Sequence, residues 1–200
     1  MKSTIIAAAM LAALTTAIPL RQTKRDDLPT ADAIAIAVSK WQADTAAVSQ
    51  FLNIAPTFRT AFGDNEPAFK LEAQVALNSE LDELLHKGVL DTFFVLDGTP
   101  SDITSANTTL VDDGTFQQVV DKLQDMATNG FAALDAGDVD AINANRCARV
   151  LPAIDAYFQS IESFLSDSED VSADVAKPSG GAVRPAACGG PADLSGQFGL

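Results

Sequence analysis

Apolar residues recur at helical spacing from Thr30 onward. They step by four and three residues in turn, which places them on one face of a helix. The residues on this face are Ile34, Val38, Trp41, Thr45, Val48, Leu52 and Ala55. Thr30 or Asp32 can cap the start of this helix, and Pro56 stops it. The pattern therefore predicts a first helix between Thr30 and Ala55.

A second amphipathic stretch follows the cap-like sequence Asp64-Asn65-Glu66-Pro67. We expect Gly88 to end this helix as its C-cap. The apolar run 89–96 either continues as helix or forms a separate buried segment, and periodicity does not decide between them. The apolar stripe expected to face the core consists of Leu71, Val75, Leu77, Leu81, Leu84 and Leu85.

The second half of the chain repeats the helical spacing after a break. Residues 97–100 (Asp-Gly-Thr-Pro) begin a stretch that we expect to be a polar loop as far as Gly114. A third helix is predicted from Thr115, and a fourth helical segment after the break at 135–138. Pro152 either kinks the fourth segment or starts a fifth helix. The predicted inward residues are Phe116, Val119, Val120, Leu123, Met126, Ala127 and Leu134, then Ile154, Phe158, Ile161 and Leu165.

The C-terminal part of the chain has a different composition. From Ser166 it is rich in Ser, Asp and Glu, then in Gly, Pro and Ala, which is typical of irregular structure. Cys147 and Cys188 are the two cysteines of the chain, and in an oxidising compartment such a pair predicts one disulfide. The sequence thus predicts an all-α fold: a four- or five-helix bundle over 26–165 with a disulfide-tethered irregular tail over 166–200.

The N-terminus has the pattern of a secretory signal peptide over residues 1–17. Lys2 supplies the basic start, residues 5–14 are apolar, and residues 15–17 (Thr-Thr-Ala) provide small side chains for cleavage. Pro19 and Arg21 keep the apolar run too short to span a bilayer, so we expect no transmembrane anchor. The predicted location is extracellular, either free in the medium or held at the cell wall.

Two further motifs concern processing. Lys24-Arg25 ends a short pro-segment over 18–25 and resembles the dibasic sites cut by kexin-type proteases, although two solvated charges in a linker would look the same. Asn107-Thr108-Thr109 is a valid N-glycosylation sequon within the expected polar loop, so Asn107 is the candidate glycosylation site.

The negative net charge of the chain disfavours some classes of binding partner. The chain carries 13 basic and 27 acidic residues, a net charge of −14; removing 1–25 takes away four basic and no acidic residues and leaves −18. Nucleic-acid binding needs a basic face, and docking on anionic membranes is likewise disfavoured. One His and two Cys exclude a multi-histidine or cysteine-rich metal site, and we expect no cofactor and no metal.

Catalytic motifs are lacking in the sequence. It contains no Gly-x-Ser-x-Gly, P-loop, Gly-x-Gly-x-x-Gly or His-Glu-x-x-His pattern, and we predict no catalytic residue. His86, the single histidine, is expected near the C-terminal end of the second helix, where the helix dipole favours it. Glu80, Asp82 and Glu83 lie within one turn and are interpreted as a solvated face. A carboxylate-dependent hydrolase of cell-wall glycans stays an alternative, since spacing alone does not set a carboxylate separation.

Aromatic residues are the candidates for a ligand site. The simplest interpretation is that they pack in the core. The sharper hypothesis is an apolar pocket or exposed patch between helices that takes up a lipid or meets a hydrophobic surface. The candidate residues are Trp41, Phe51, Phe58, Phe62, Phe69, Phe93 and Phe94.

The layout of the chain resembles a group of known proteins. It combines the signal peptide, Lys24-Arg25, the Ile/Val/Leu-rich first helix and the sequence Ala-Ile-Asp-Ala-Tyr-Phe at 153–158. Over residues 25–165 this layout resembles fungal small secreted helical proteins, including the hydrophobic-surface-binding and cell-wall galactomannoprotein group. The resemblance implies a non-enzymatic helical bundle that takes up lipids or coats apolar or cell-wall surfaces. An effector-like module that binds a host or partner surface is the alternative.

Overall fold

The computed structural model describes residues 29–97, 99–167, 171–172 and 174–191, and within these ranges the chain is helical and has no strand. The predicted signal peptide, the pro-segment and Lys24-Arg25 lie outside the described residues. The helices are α1 (Ala31–Ile54), α2 (Phe58–Phe62), α3 (Glu66–Asp97), α4 (Ser101–Asn107), α5 (Thr115–Asn129), α6 (Phe131–Asp135), α7 (Asp138–Asn145) and α8 (Leu151–Asp167). None of the helices in these ranges has the length and apolar content needed to cross a membrane.

Helix α1 confirms the prediction from the first apolar pattern. The Thr30 hydroxyl oxygen caps it by accepting a 3.1 Å hydrogen bond from the Ala33 amide. A 3-10 turn over Ala55–Thr57, which contains Pro56, ends it. All seven residues predicted for the inner face are buried.

Helix α3 differs from its prediction in length and in orientation. It continues through Gly88 to Asp97, so the predicted C-cap at Gly88 is wrong and the apolar run 89–96 continues as helix. Of the predicted inner stripe only Leu77 is buried. The other five residues are exposed, namely Leu71 (64%), Val75 (51%), Leu81 (42%), Leu84 (41%) and Leu85 (67%).

The face of α3 that does enter the core is made of small, aromatic and charged residues. It consists of Phe69, Ala73, Ala76, Leu77, Glu80, Glu83, Lys87, Leu90, Phe93 and Phe94. The alanines let neighbouring helices approach α3 closely, and side chains from other helices pair the buried charges. This pairing overrides the simple apolar pattern and turns the leucines to solvent.

The predicted polar loop before Gly114 is also wrong, because most of it is helical. Helix α4 is followed by a π-helical turn over Thr108–Asp112. Ile103, Ala106 and Leu110 are buried at spacings of three and four residues, and they dock this segment onto the core. The many Ser, Thr and Asp residues around them obscured the helical spacing in the sequence.

Helix α5 buries Phe116, Val119, Leu123 and Met126, as predicted, and ends before Gly130. Gly130 has a φ of +60°, and a Cβ at this position would lie 2.6 Å from Lys70 Cε of α3. Glycine therefore allows the chain to turn from α5 into α6 while lying directly against α3.

The last helices form one nearly continuous run. A π-helical turn over Arg146–Val150 joins α7 to α8, and Pro152 is the second residue of α8, where a proline is tolerated. The chain is thus helical without a break across Pro152, with the π-helical turn directly before it, and no separate helix starts at the proline. The predicted inner residues of α8, which are Ile154, Phe158, Ile161 and Leu165, are buried.

The segment after α8 runs along α1 in the same direction. Ser172 donates its amide N–H to Asp32, Gln42 donates to the Gly180 carbonyl, Ser49 donates to the Val183 carbonyl, and Ala186 donates its amide N–H to Asn53. A disulfide joins Cys147 in the π-helical turn to Cys188, with the two Cα atoms 5.1 Å apart. The predicted all-α bundle with a disulfide-tethered tail is thus confirmed.

Candidate functional site

The aromatic candidates occupy two parts of the molecule. Around Phe69, the rings of Phe51, Phe58 and Phe131 have centroids 5.0–5.8 Å away. Phe62 lies at the edge of this group and is 60% exposed. These rings fill the end of the bundle where α1, α2, α3 and α6 meet.

The second aromatic group lies further along α3. Trp41 is fully buried against Tyr157 and Phe158 of α8, with ring centroids 5.5 and 5.3 Å away. Phe93 and Phe94 are also buried, and Phe94 borders a pocket described below. Apart from Phe62, the candidate aromatic residues are core side chains, and the hypothesis that they line a ligand pocket stays a prediction.

A charged network lies in the core beside Trp41. Glu80 and Glu83, three residues apart on the inner face of α3, meet Arg146 from the π-helical turn. Arg146 Nη1 lies 2.5 Å from Glu80 Oε2 and 3.7 Å from Glu83 Oε1, and the Trp41 indole N–H donates to Glu83 Oε2 at 2.8 Å. All four side chains are fully buried. The interpretation of Glu80 and Glu83 as a solvated face is therefore wrong, and of the three acids only Asp82 is exposed.

The electrostatics of this network favour a bound proton. Two carboxylates face one guanidinium, and Glu80 Oε1 and Glu83 Oε1 make no hydrogen bond within the described protein. Burial raises the pKa of Glu80 to about 7, although the charge of Arg146 and its hydrogen bond act to lower this pKa. Burial and then the charge of Glu80 raise the pKa of Glu83 well above its ordinary value. The network is closed to solvent, and its buried carboxyl groups hold a proton more readily than exposed carboxyl groups do.

Asp44 and His86 lie at the edge of this network. His86 is in the middle of α3 rather than near a helix end, so the placement predicted for it is wrong. Its Nε2 atom is 3.3 Å from Asp44 Oδ2, yet that oxygen makes no hydrogen bond. Burial, followed by the charge of Asp82, raises the pKa of Asp44 to about 6. Burial, followed by the charge of Lys40, lowers the pKa of His86.

A second polar cluster joins three helices near the other end of α3. The Lys87 ammonium donates 2.6 Å hydrogen bonds to Asp91 Oδ2 and to Asn107 Oδ1 of α4. The Tyr157 hydroxyl of α8 donates to Asp91 Oδ1 at 2.8 Å. Burial, followed by the hydrogen bond to Asp91, raises the pKa of Tyr157, which keeps this hydroxyl protonated as a donor.

This cluster borders a half-open cavity of about 310 Å³, here called the α3–α4–α8 pocket. Its lining combines a polar side with apolar walls. The lining residues are Asp91, Phe94, Val95, Thr99, Ile103, Thr104, Asn107 and Tyr157.

Five large aliphatic side chains of α3 are exposed and are here called the α3 aliphatic face: Leu71, Val75, Leu81, Leu84 and Leu85. By helical spacing they spread over about half of the helix circumference, and the exposed polar residues Asn78 and Asp82 lie between them. Soluble proteins rarely leave so many large aliphatic side chains together in water without a use for them. The sequence already contained this stripe, but the rule that apolar stripes face inward assigned it to the core.

The remaining predicted site is Asn107. It ends α4, is partly buried, and its Oδ1 accepts from Lys87, so it lies in helix rather than in a loop. Glycosylation at Asn107 stays a prediction. Within the described ranges, no group of three or more His, Cys, Asp or Glu residues is arranged to hold a metal ion.

Comparison with known proteins adds no relative to this picture. No protein-family model, no curated protein and no solved structure was found to match the chain. The surface features that bear on function are the α3 aliphatic face and the α3–α4–α8 pocket.

Proposed function

We propose that this protein is a secreted, non-enzymatic binding protein that attaches to neutral hydrophobic surfaces through the α3 aliphatic face. The observation that carries the proposal is the exposure, between 41% and 67%, of five large aliphatic side chains on a single helix. Complete burial of a Leu or Val side chain contributes about 1.5–3 kcal/mol, so the exposed parts of five such residues give on the order of 5 kcal/mol.

The charge of the chain supports a neutral surface as the partner. Glu72 and Asp82 are exposed on the same helix, and the whole chain has a net charge of −14. Such a protein stays dissolved and is repelled by anionic membranes and polyanions. An uncharged apolar surface, such as a waxy or lipid-coated wall, presents no such repulsion.

The compartment proposed is extracellular, in the medium or at the cell wall. The predicted signal peptide supports this proposal, and so does the disulfide between Cys147 and Cys188, which is typical of oxidising compartments. The burial of Glu80 and Glu83 supports binding over glycan hydrolysis at this carboxylate pair, because a substrate needs access to both carboxyl groups.

Adsorption measurements test this proposal. We expect the mature protein to adsorb to an alkyl-coated sensor of a quartz crystal microbalance and much less to bare silica. The double variant Leu84→Gln/Leu85→Gln removes two exposed side chains from the face, and we expect it to lose most of this adsorption. The control is Ile36→Gln/Val111→Gln, because these residues are 45% and 51% exposed but lie outside α3.

Circular dichroism establishes that each variant is folded. Equal adsorption of the Leu84/Leu85 variant and the wild type would refute the α3 aliphatic face as the attachment site. Loss of adsorption in both double variants would show general hydrophobicity rather than a specific face, and would also contradict the proposal.

A further inference from the structure

The α3–α4–α8 pocket is held in shape by a buried lysine. The side chain of Lys87 is only 4% exposed, and a buried ammonium group is costly unless it is fully paired. It is paired here by Asp91 and Asn107, and it lies 5.2 Å from the centre of the Tyr157 ring. These contacts fix the positions of α3, α4 and α8 around the cavity.

Asp91 is the member of this cluster that remains available to a ligand. Its side chain is 38% exposed, and each of its carboxylate oxygens has accepted one hydrogen bond from the protein. A carboxylate has about four lone-pair sites, so Asp91 can accept a further donor from the pocket side. The Tyr157 O–H and one Lys87 N–H, in contrast, already donate to Asp91, and a second Lys87 N–H donates to Asn107.

The opposite side of the cavity is apolar. Phe94 and Ile103 are buried, with 4% and 2% exposure, and Val95 is 63% exposed at the border of the cavity. The volume of about 310 Å³ lies at the lower end of the range of small-molecule pockets, about 300–1,000 Å³. The cavity therefore suits a small molecule with an apolar body and one polar end.

We propose that the α3–α4–α8 pocket binds a small, neutral, hydroxyl-bearing apolar molecule whose hydroxyl donates a hydrogen bond to Asp91. This site is separate from the α3 aliphatic face, so the inference goes beyond the proposed function. It adds a soluble ligand to a protein that attaches to surfaces.

The charges at the pocket determine which polar group of a ligand it accepts. A carboxylate ligand would be repelled by Asp91, and the Tyr157 O–H already donates to Asp91. Lys87 uses two of its three N–H donors on Asp91 and Asn107, and it is not among the residues that line the cavity. An ammonium ligand would be attracted by Asp91 but repelled by the Lys87 ammonium that is bound to the same carboxylate. A hydroxyl carries no charge and supplies the donor that Asp91 can accept, so it is the end that fits.

Three probes that share an eight-carbon alkyl chain and differ in their polar end test whether the pocket prefers a hydroxyl to a carboxylate or an ammonium. Octanol, octanoate and octylammonium are titrated into the mature protein at neutral pH, with calorimetry and Trp41 fluorescence as readouts. Trp41 reports on the site because its ring contacts Tyr157. We expect saturable binding of one octanol, and binding of octanoate and octylammonium that is at least tenfold weaker.

Val95→Arg places a long charged side chain at the border of the cavity, and we expect it to weaken octanol binding at least tenfold. Val111→Arg is the matched control, because Val111 is also exposed but does not line this cavity. We expect the control, and the Leu84→Gln/Leu85→Gln variant, to bind octanol like the wild type.

Three results would each overturn this proposal: no saturable octanol binding, octanoate binding equal to octanol binding, or equal effects of Val95→Arg and Val111→Arg. Asp91→Asn gives a further measurement, since it removes the charge that rejects octanoate. The preference of octanol over octanoate is expected to shrink in this variant. These outcomes do not depend on adsorption to surfaces, so the two proposals fail separately.

Discussion

The indole N–H of Trp41 donates a 2.8 Å hydrogen bond to Glu83 Oε2, across 42 residues of sequence and inside the core. This contact joins α1 to α3 at a position where both side chains are fully buried. It also satisfies one oxygen of Glu83, while the other oxygen makes no hydrogen bond in the described protein. The stability of the bundle therefore depends on the protonation of this carboxyl group.

We predict that the protein is more stable in mildly acidic solution than at neutral pH. The pKa of Glu80 is raised from 4.5 to about 7, and that of Glu83 is raised well above 4.5. The folded state thus binds more protons than the unfolded state between these pH values. The free energy of unfolding must then fall as pH rises from 4.5 through about 7.

At lower pH the free energy of unfolding instead rises with pH. Hydrogen bonds from Ser172 lower the pKa of Asp32 below 3.8, so its contribution is lost as the solution becomes more acidic. We expect the midpoint of urea unfolding to be highest at about pH 4–5. A midpoint that rises steadily from acidic to alkaline pH would contradict this prediction.

Glu83→Gln tests whether the buried carboxyl group causes this dependence. A glutamine can accept the Trp41 hydrogen bond without taking a charge into the core. We expect stability close to that of the wild type at about pH 5, greater stability at about pH 8, and a shallower pH slope. Urea unfolding of the variant and the wild type at several pH values measures these differences in stability. Glu72→Gln is the matched control on the solvent side of α3, and an equal slope in both variants would rule out the explanation.

Arg146 is expected to be the most sensitive charged residue of the core. Arg146→Met leaves Glu80 and Glu83 without their cationic partner, and breaking a buried pair in this way costs about 3–5 kcal/mol. The loss should be smaller at acidic pH, where the two carboxyl groups are protonated. Arg149→Met is the control, because Arg149 pairs with Asp113 at the surface, where such a pair contributes about 0–1 kcal/mol.

Chemical unfolding of both arginine variants measures the difference. We also expect Arg146→Met combined with Glu80→Gln to recover part of the lost stability, since residues of one network do not act additively. Similar losses in Arg146→Met and Arg149→Met would show that the network contributes little.

The disulfide is expected to stabilise the fold and to hold the tail in place. It closes a loop across a sequence separation of 41 residues. Removing it with Cys147→Ala/Cys188→Ala should cost about 2–4 kcal/mol and speed up proteolysis within 171–191. Reductant should lower the unfolding midpoint of the wild type and leave that of the double variant unchanged. A wild-type midpoint insensitive to complete reduction would count against a stabilising role.

Gly130 is predicted to be less tolerant of substitution than Gly137, although both have a positive φ. A Cβ at Gly130 would meet Lys70 and Glu66 at 2.6–2.7 Å, whereas Gly137 has open space around it. Gly137→Ala should cost about 1–2 kcal/mol from backbone strain alone. Gly130→Ala should cost slightly more, because the flexible ends of Lys70 and Glu66 must move away and their surface ion pair, which contributes about 0–1 kcal/mol, is displaced. Thermal unfolding of both variants compares them, and equal losses would exclude a steric contribution.

The sequence predicts a helix correctly where the residues that determine it are close together in the sequence, and incorrectly where they pair with distant residues. Helix α1 was predicted correctly because its cap, its apolar face and its terminating Pro56 are all local signals. The apolar pattern of α3 predicts the wrong face for the core. Glu80 lies on the true core face because it pairs there with Arg146, which is 66 residues away in the sequence. No periodicity within α3 reveals such a partner. Only the spacing of Glu80, Glu83 and Lys87 on one face hinted that they share an environment.

The candidate pocket shows the same limit. The aromatic residues in the sequence include Phe94 as a candidate, and Phe94 does line the α3–α4–α8 pocket. The sequence does not predict the polar members of the pocket, because the composition of 97–114 predicts a loop, whereas the contact of Lys87 with Asn107 requires helix α4. The distant pairing of side chains from three helices, rather than any local motif, creates the site.

The tail that follows α8 has a consequence for the order in which the molecule is completed. Its hydrogen bonds run along α1 from Asp32 to Asn53, so a segment that is synthesised after α8 closes over a helix that is synthesised well before it. The bundle therefore cannot reach its final form until synthesis has passed Cys188. A molecule in which Cys147 and Cys188 are joined has therefore brought the segment after α8 back to the π-helical turn before α8, so the bond reports that this late contact has formed.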